Sequence, residues 1–201
     1  MEKSASIANP PMLILAAGLA TRMGGRVKPD LPWVEGRTLL QHQQLTAQAA
    51  GFSPLAVTRR DPGYGSFIVN PHPERGLAES LRRGIEEVRR RWGPVIAGIM
   101  LADQPFVTKE DIIAVYGAFR RRSASIHAVR ARYHGVPGHP VFFDHDWDAV
   151  VGTLTGDFGL GKLWSSRTDA AWVDVEVGNR PDPSFDIDTD TAYRQAWGWA
   201  H

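Results

Sequence analysis

Residues 12–33 read MLILAAGLATRMGGRVKPDLPW, a short apolar segment that runs directly into a loop carrying glycines and cations. The unbroken apolar residues at 12–15 predict a buried strand. Beyond it, Gly18, Gly24 and Gly25 let backbone N–H groups approach an anion, and Arg22 and Lys28 bring positive charge to the same place. A strand that empties into such a loop suits an open α/β sheet, where ligands gather beyond the carboxyl ends of the strands. The spacing is neither that of a Walker A loop, which closes on Gly-Lys-Ser/Thr, nor the G-x-G-x-x-G dinucleotide fingerprint. Composition alone leaves a second reading open, since an ordinary surface loop also accommodates glycines and exposed cations.

Working outward, the pattern predicts a helix over 39–50, short strands at 55–58 and 67–69 around a turn at 61–65, and a helix over 77–92. In that helix Leu77, Leu81, Ile85, Val88 and Trp92 recur at helical spacing, while Glu79/Arg83, Glu86/Arg90 and Glu87/Arg91 form i,i+4 pairs on other faces. The run at 95–101 follows Gly93-Pro94 and is nearly all apolar, the pattern of a central parallel strand covered on both faces. Thr108 and Asp111 make a capping box for the next helix, with Val107 and Ile112 as its hydrophobic staple. The turn between that strand and that helix therefore holds Asp103, which, like Gly18, stands just past a strand end.

Further along, the expected elements are a strand at 126–130, a Gly/Pro/His-bearing loop to Pro140, a strand at 141–143, a helix around 147–151, a strand at 171–175 and a closing helix over 191–197. Alternating strands and helices without repeats argue for a three-layer α/β/α sandwich. At 201 residues the chain suits a single domain, with residues 1–11 as a loose lead-in.

The charges nearly cancel, 23 Lys+Arg against 22 Asp+Glu, so there is no global basic field of the kind that nucleic-acid binders use. A small anionic ligand fits better than a polyanion. The absence of cysteine excludes disulfides, thiolate metal sites and cysteine nucleophiles. Residues 12–20 are not expected to act as a signal peptide, because Glu2 accompanies Lys3 ahead of them and Gly18 breaks the apolar run. No stretch approaches the roughly 20 apolar residues of a membrane span, and the expected location is cytoplasmic. His127, His134, His139 and His145 fit no standard zinc spacing.

The order of residues adds more than composition. Leu15, Ala16, Ala17, Gly18, Arg22, Met23, Gly24 and Lys28 match in register the N-terminal signature L-A-A-G-x-x-x-R-M-G of the nucleotidylyltransferases that act on molybdopterin, which carries a lysine a few residues on. MLADQP at 100–105, VPGHPVFF at 136–143 and FDIDT at 185–189 repeat the resemblance in the family's order. The chain thus resembles the molybdenum cofactor cytidylyltransferases within the NTP-transferase superfamily. That resemblance implies a Rossmann-like, mostly parallel sheet of the nucleotidyltransferase (nucleotide-diphospho-sugar transferase) type. It also implies Mg²⁺-dependent transfer of CMP from CTP to a molybdopterin-type acceptor with release of pyrophosphate, the product passing to a molybdenum oxidoreductase.

In such chemistry the protein aligns two anions and stabilises charge on the leaving group, and Mg²⁺ held by one or two carboxylates and the phosphates is the usual means. The resemblance assigns Asp103 and Asp188 as metal ligands, with Asp103 also catalytic; Asp186 either assists or caps a turn. Arg22 and Lys28 would neutralise the triphosphate. The backbone of residues 15–18 would read the base, and Asn70, Gly76 and Ser80 would complete the nucleoside site. His139 matches a segment near the acceptor, as do Asp157 and Lys162, although here Lys162 stands one position away from the arginine of the family's G-D-x-G-x-R. A shifted lysine does not reproduce an arginine fork. In the molybdopterin-modifying enzymes that this chain resembles, an Ala-Ala-Gly loop goes with cytidine and an Ala-Gly-Gly loop with guanosine. A GTP-using guanylyltransferase, a sugar- or polyol-phosphate nucleotidylyltransferase and a non-catalytic carrier of molybdenum cofactor are the alternatives.

Overall fold

A computed structural model describes residues 9–19, 23, 26–156, 164 and 166–201. Among these, seven strands form one sheet in the order β3-β2-β1-β4-β6-β5-β7. In chain order the elements are β1 (Pro11–Ala16), α1 (Leu39–Ala49), β2 (Ser53–Thr58), β3 (Phe67–Val69), α2 (Leu77–Trp92), β4 (Ala97–Leu101) and α3 (Lys109–Arg120), then β5 (Ala128–Tyr133), β6 (Val136–Phe143), α4 (Asp148–Gly152), β7 (Ala170–Asp174) and α5 (Asp190–Ala200). Strands β3, β2, β1 and β4 pair in parallel, β6 runs against both β4 and β5, and β7 is parallel to β5.

The residues alternate between two cores, as a strand period of two requires. Met12 and Ile14 of β1 pack with Leu40 of α1 and with Ile112, Val115 and Phe119 of α3. Leu13 and Leu15 face Leu81, Ile85 and Val88 of α2 and Val151 of α4. Both sheet faces are thus covered, and the strand ends are the places left for a ligand. A Cβ at Gly98 would lie 2.6 Å from Met12 Sδ, so the Met12 and Phe142 side chains fill the space over this glycine.

A third cluster joins Met23, Leu31, Trp33 and Leu39 to Ile187 and Ala196. It docks the segment after β1 onto α5, and Tyr193 Oη reinforces the join by donating to the Pro32 carbonyl at 2.6 Å. Lys28 sits on this docked segment, in a turn of 3-10 helix over Lys28–Asp30 whose Pro29 is buried.

The capping box of Thr108 and Asp111 forms as expected, and a second, Thr38 with Gln41, starts α1. Two expectations are corrected. Arg90 pairs with Glu87 at 2.7 Å rather than with Glu86, and Arg91 shares the same carboxylate. The stretch from 131 to 140 is a β-hairpin, not a loop. His134 (φ 50°) and Gly135 (φ 81°) both adopt left-handed backbone, the requirement of a tight two-residue hairpin turn. A register shift between Arg130 and Arg132 accommodates Pro137 in the ladder. Gly138 lies where a Cβ would sit 2.6 Å from the Tyr133 ring.

Candidate functional site

A cavity of about 610 Å³ opens at the carboxyl ends of β1 and β4, within the size range of small-molecule sites. One wall is the exit of β1, with Ala17, Gly18 and Leu19; another is the start of α2, with Gly76, Leu77 and Ser80. Asp103, Asp186 and Asp188 close the third side. The two strand exits meet because β1 and β4 are parallel neighbours, and the Ala102 N–H donates to the Leu15 carbonyl at 3.1 Å. Among the described residues, a Cβ at Gly18 would meet nothing within 4 Å beyond its own chain neighbours, so a side chain there would point into open space beside the cavity.

The start of α2 is built to face an anion. Gly76 holds a φ of 83°, a conformation that favours glycine, and no side chain caps the helix. The positive end of the α2 dipole therefore points to the cavity, although the Ala78 N–H is already bonded to the Gly156 carbonyl at 3.1 Å. Asn70 does not line the cavity. It is fully buried, its Nδ2–H donates to Ser80 Oγ at 3.0 Å, and its Oδ1 accepts the His72 N–H at 2.9 Å. Asn70 therefore braces Ser80 from behind.

Opposite this helix, Lys28 Nζ donates to Asp103 Oδ2 at 3.2 Å and to Asp188 Oδ1. Burial alone would lower the Lys28 pKa, but the adjoining charges of Asp103 and Asp188 outweigh it and hold the ammonium above its ordinary value. Burial pushes Asp103 upward against the pull of Lys28. Asp186 is raised to about 6, first by burial and then by the charge of Asp103. Three carboxylates around one ammonium make a site short of positive charge. Hard carboxylate oxygens are the donors that Mg²⁺ takes, so the donor set fits that ion, with Asp103 and Asp188 on a common cation already.

Behind the carboxylates stands Gln104, a participant that the sequence reading missed although it lies inside the quoted MLADQP segment. It is 4% exposed; its Nε2–H donates to Asp186 Oδ1 at 2.8 Å, and its Oε1 accepts from His139 Nδ1 at 2.9 Å. A buried polar residue next to a strand-end aspartate must find partners, and that was the available signal. His139 does not line the cavity. Burial, then the nearby Arg130 charge, lowers its pKa to about 3, so the ring is neutral.

The sequence readings for Arg22, Gly24, Gly25, Asp157 and Lys162 fall outside the described residues. Of the three other histidines at these positions, His127 and His145 each approach Asp146 at 3.3 Å, beyond the amino end of β5 and away from the cavity. There Asp144 already accepts from Arg122 at 2.7 Å, and that guanidinium opposes a second cation.

An open, mostly parallel sheet with a strand-end cavity, a helix start facing it and a carboxylate cluster opposite defines an α/β nucleotide-handling enzyme. The MobA-like NTP transferase domain matches residues 12–171, and the chain belongs to that nucleotidyltransferase family. Its fold is that of Rv0371c from Mycobacterium tuberculosis H37Rv, at 24% identity and TM-score 0.79, over 96% of this chain and 100% of that one. The same mycobacterial protein in a complex with manganese aligns at 23% identity and TM-score 0.73, covering 94% and 98%. Molybdopterin-guanine dinucleotide biosynthesis protein A from Archaeoglobus fulgidus aligns at 15% identity and TM-score 0.66, covering 94% and 97%. No curated protein sequence matches the chain. Among the described residues, no helix is long and apolar enough to cross a membrane.

Proposed function

We propose that the chain transfers CMP from CTP to a molybdopterin-type acceptor. An acceptor phosphate oxygen bonds to the α-phosphorus, the α–β phosphoanhydride bond breaks, and pyrophosphate leaves. The observation that carries this reading is the cavity itself, with the Ala-Ala-Gly exit of β1 and the start of α2 on one side and the Lys28–Asp103–Asp188 cluster on the other.

The base lies against residues 15–18, where the Ala17 Cβ narrows the approach and suits a single-ring pyrimidine. The phosphates run between the dipole of α2 and Lys28. Asp103 and Asp188 would hold Mg²⁺, with Asp186 beside them, a role supported by their donor chemistry and by the manganese complex of the mycobacterial neighbour. When bound, the ion supplies charge neutralisation for the phosphates. Lys28, at the edge of the cluster, would present its N–H donors to the triphosphate as a point charge. Little covalent chemistry is required of the chain; alignment and electrostatic stabilisation carry the rate.

A nucleotide panel with Mg²⁺, read by thermal denaturation, tests the binding half of the proposal. CTP at about 100 times its Kd stabilises the fold by roughly 2.7 kcal/mol, a rise in Tm of about 5–10 °C at this chain length. No shift with any nucleoside triphosphate would refute it.

A further inference from the structure

We propose that His139 is a positioning residue for the carboxylate site, acting through Gln104: its Nδ1–H fixes the Gln104 amide so that Nε2–H is aimed at Asp186. The inference rests on reading Asp103, Asp186 and Asp188 as the cation end of a nucleotide site.

A carboxamide has nearly the same shape in its two flipped orientations, and its partners decide which one is populated. At Gln104 the choice is set from the protein side. Oε1 accepts from His139 Nδ1 at 2.9 Å, which leaves Nε2 to donate to Asp186 Oδ1 at 2.8 Å. In the flipped orientation Oε1 would face the carboxylate, acceptor against acceptor, and Asp186 would lose its partner.

Both ends of this relay are anchored. The Gln104 carbonyl accepts from Gln43 Nε2, and the Ile187 N–H donates to the Asp103 carbonyl at 2.9 Å. On β6, the Gly138 carbonyl accepts from Arg130 Nε at 2.9 Å and the His139 carbonyl accepts from Tyr133 Oη at 2.6 Å. His139 thus stands at a fixed point of the hairpin, and its neutral ring offers one donor. Groups that orient metal-binding side chains commonly govern affinity by about 10–100-fold.

The test uses the full chain. In the metal-free protein, a long-range ¹H–¹⁵N spectrum should show His139 protonated at Nδ1 and not at Nε2. Mn²⁺ titration should then give at least about tenfold weaker binding for His139→Leu. His139→Asn, which retains an amide donor near Nδ1, should stay within about threefold of wild type. Gln104→Met should match His139→Leu, and the double variant should lose no more than either alone, since both remove one relay. The Gln104 variant carries the test if His139→Leu fails to fold. An Nε2-protonated ring, or unchanged Mn²⁺ affinity in both single variants, overturns the proposal. A wild-type protein that binds no Mn²⁺ refutes the metal reading instead, while the tautomer still decides whether His139 orients Gln104.

Discussion

The Ile187 backbone N–H donates to the Asp103 carbonyl oxygen at 2.9 Å, tying the segment ahead of α5 to the turn that leaves β4. This one bond brings Asp188 to the ammonium that already holds Asp103. The site is therefore assembled from three distant stretches of sequence, the third being the Lys28 turn that the aromatic cluster around Trp33 docks onto α5.

Lys28→Met leaves those carboxylates facing one another without a cation. Removing one partner of a partly buried ion pair is costly, and we expect a loss of about 1–3 kcal/mol, or several degrees in Tm. Mn²⁺ should restore much of it by neutralising the same carboxylates. Unchanged melting in a chelator would show that Lys28 holds nothing together.

Asp186 gives the metal-free protein a pH signature. Its folded pKa of about 6 lies above the ordinary carboxylate value near 4. The folded state thus binds the proton more tightly, and this contribution to stability is complete below about pH 4 and lost as the pH rises through about 6. Asp186→Asn should therefore gain stability relative to wild type between pH 4.5 and 7.5 when unfolding is followed in a chelator. A constant difference across that range would contradict the assignment.

Gly18→Val separates folding from binding. Among the described residues, none beyond its chain neighbours lies within 4 Å of the added Cβ, so Tm should stay within about 2 °C of wild type. The side chain enters ligand space, and triphosphate affinity should fall by at least tenfold, about 1.4 kcal/mol. Retained affinity would remove the nucleotide from the β1 exit.

Much of this fold was legible because its signals are local. The spacing of Leu81, Ile85 and Val88 marks α2, the unbroken apolar residues of β1 and β4 mark central strands, and Thr108 with Asp111 marks the start of α3. The hairpin was not legible: the turn at His134-Gly135 lacks the usual Asn-Gly, and Pro137 and Pro140 read as loop residues until the bulge opposite them is known. In the site, Gly18, Ser80, Asp103 and Asp188 lie about the cavity, at the ends of the strands and helix that the local patterns mark. Asn70 and His139 are not among the residues lining that cavity, because a motif match carries a position in sequence but not the direction in which a side chain points. The partnership of Lys28 with both aspartates is a tertiary contact across 75 and 160 residues, which no local pattern encodes.

The proposed preference for cytidine is assigned to Ala17, which is 3% exposed at the cavity wall. CTP should exceed GTP by at least tenfold in kcat/KM, since one methyl's difference supplies about 1–3 kcal/mol. Ala17→Gly should narrow that gap. Equal use of CTP and GTP by the wild-type protein would overturn the cytidine assignment while leaving nucleotidyl transfer in place.

The central claim is most directly tested by pyrophosphate release from CTP and Mg²⁺, with and without molybdopterin, by the wild-type chain and by Asp103→Asn. Acceptor-dependent release should fall by at least about 10²-fold in the variant, which loses a charged group at the reacting phosphates but keeps its fold. Near-equal release by the two proteins, or none from the wild type with this acceptor, would contradict the account.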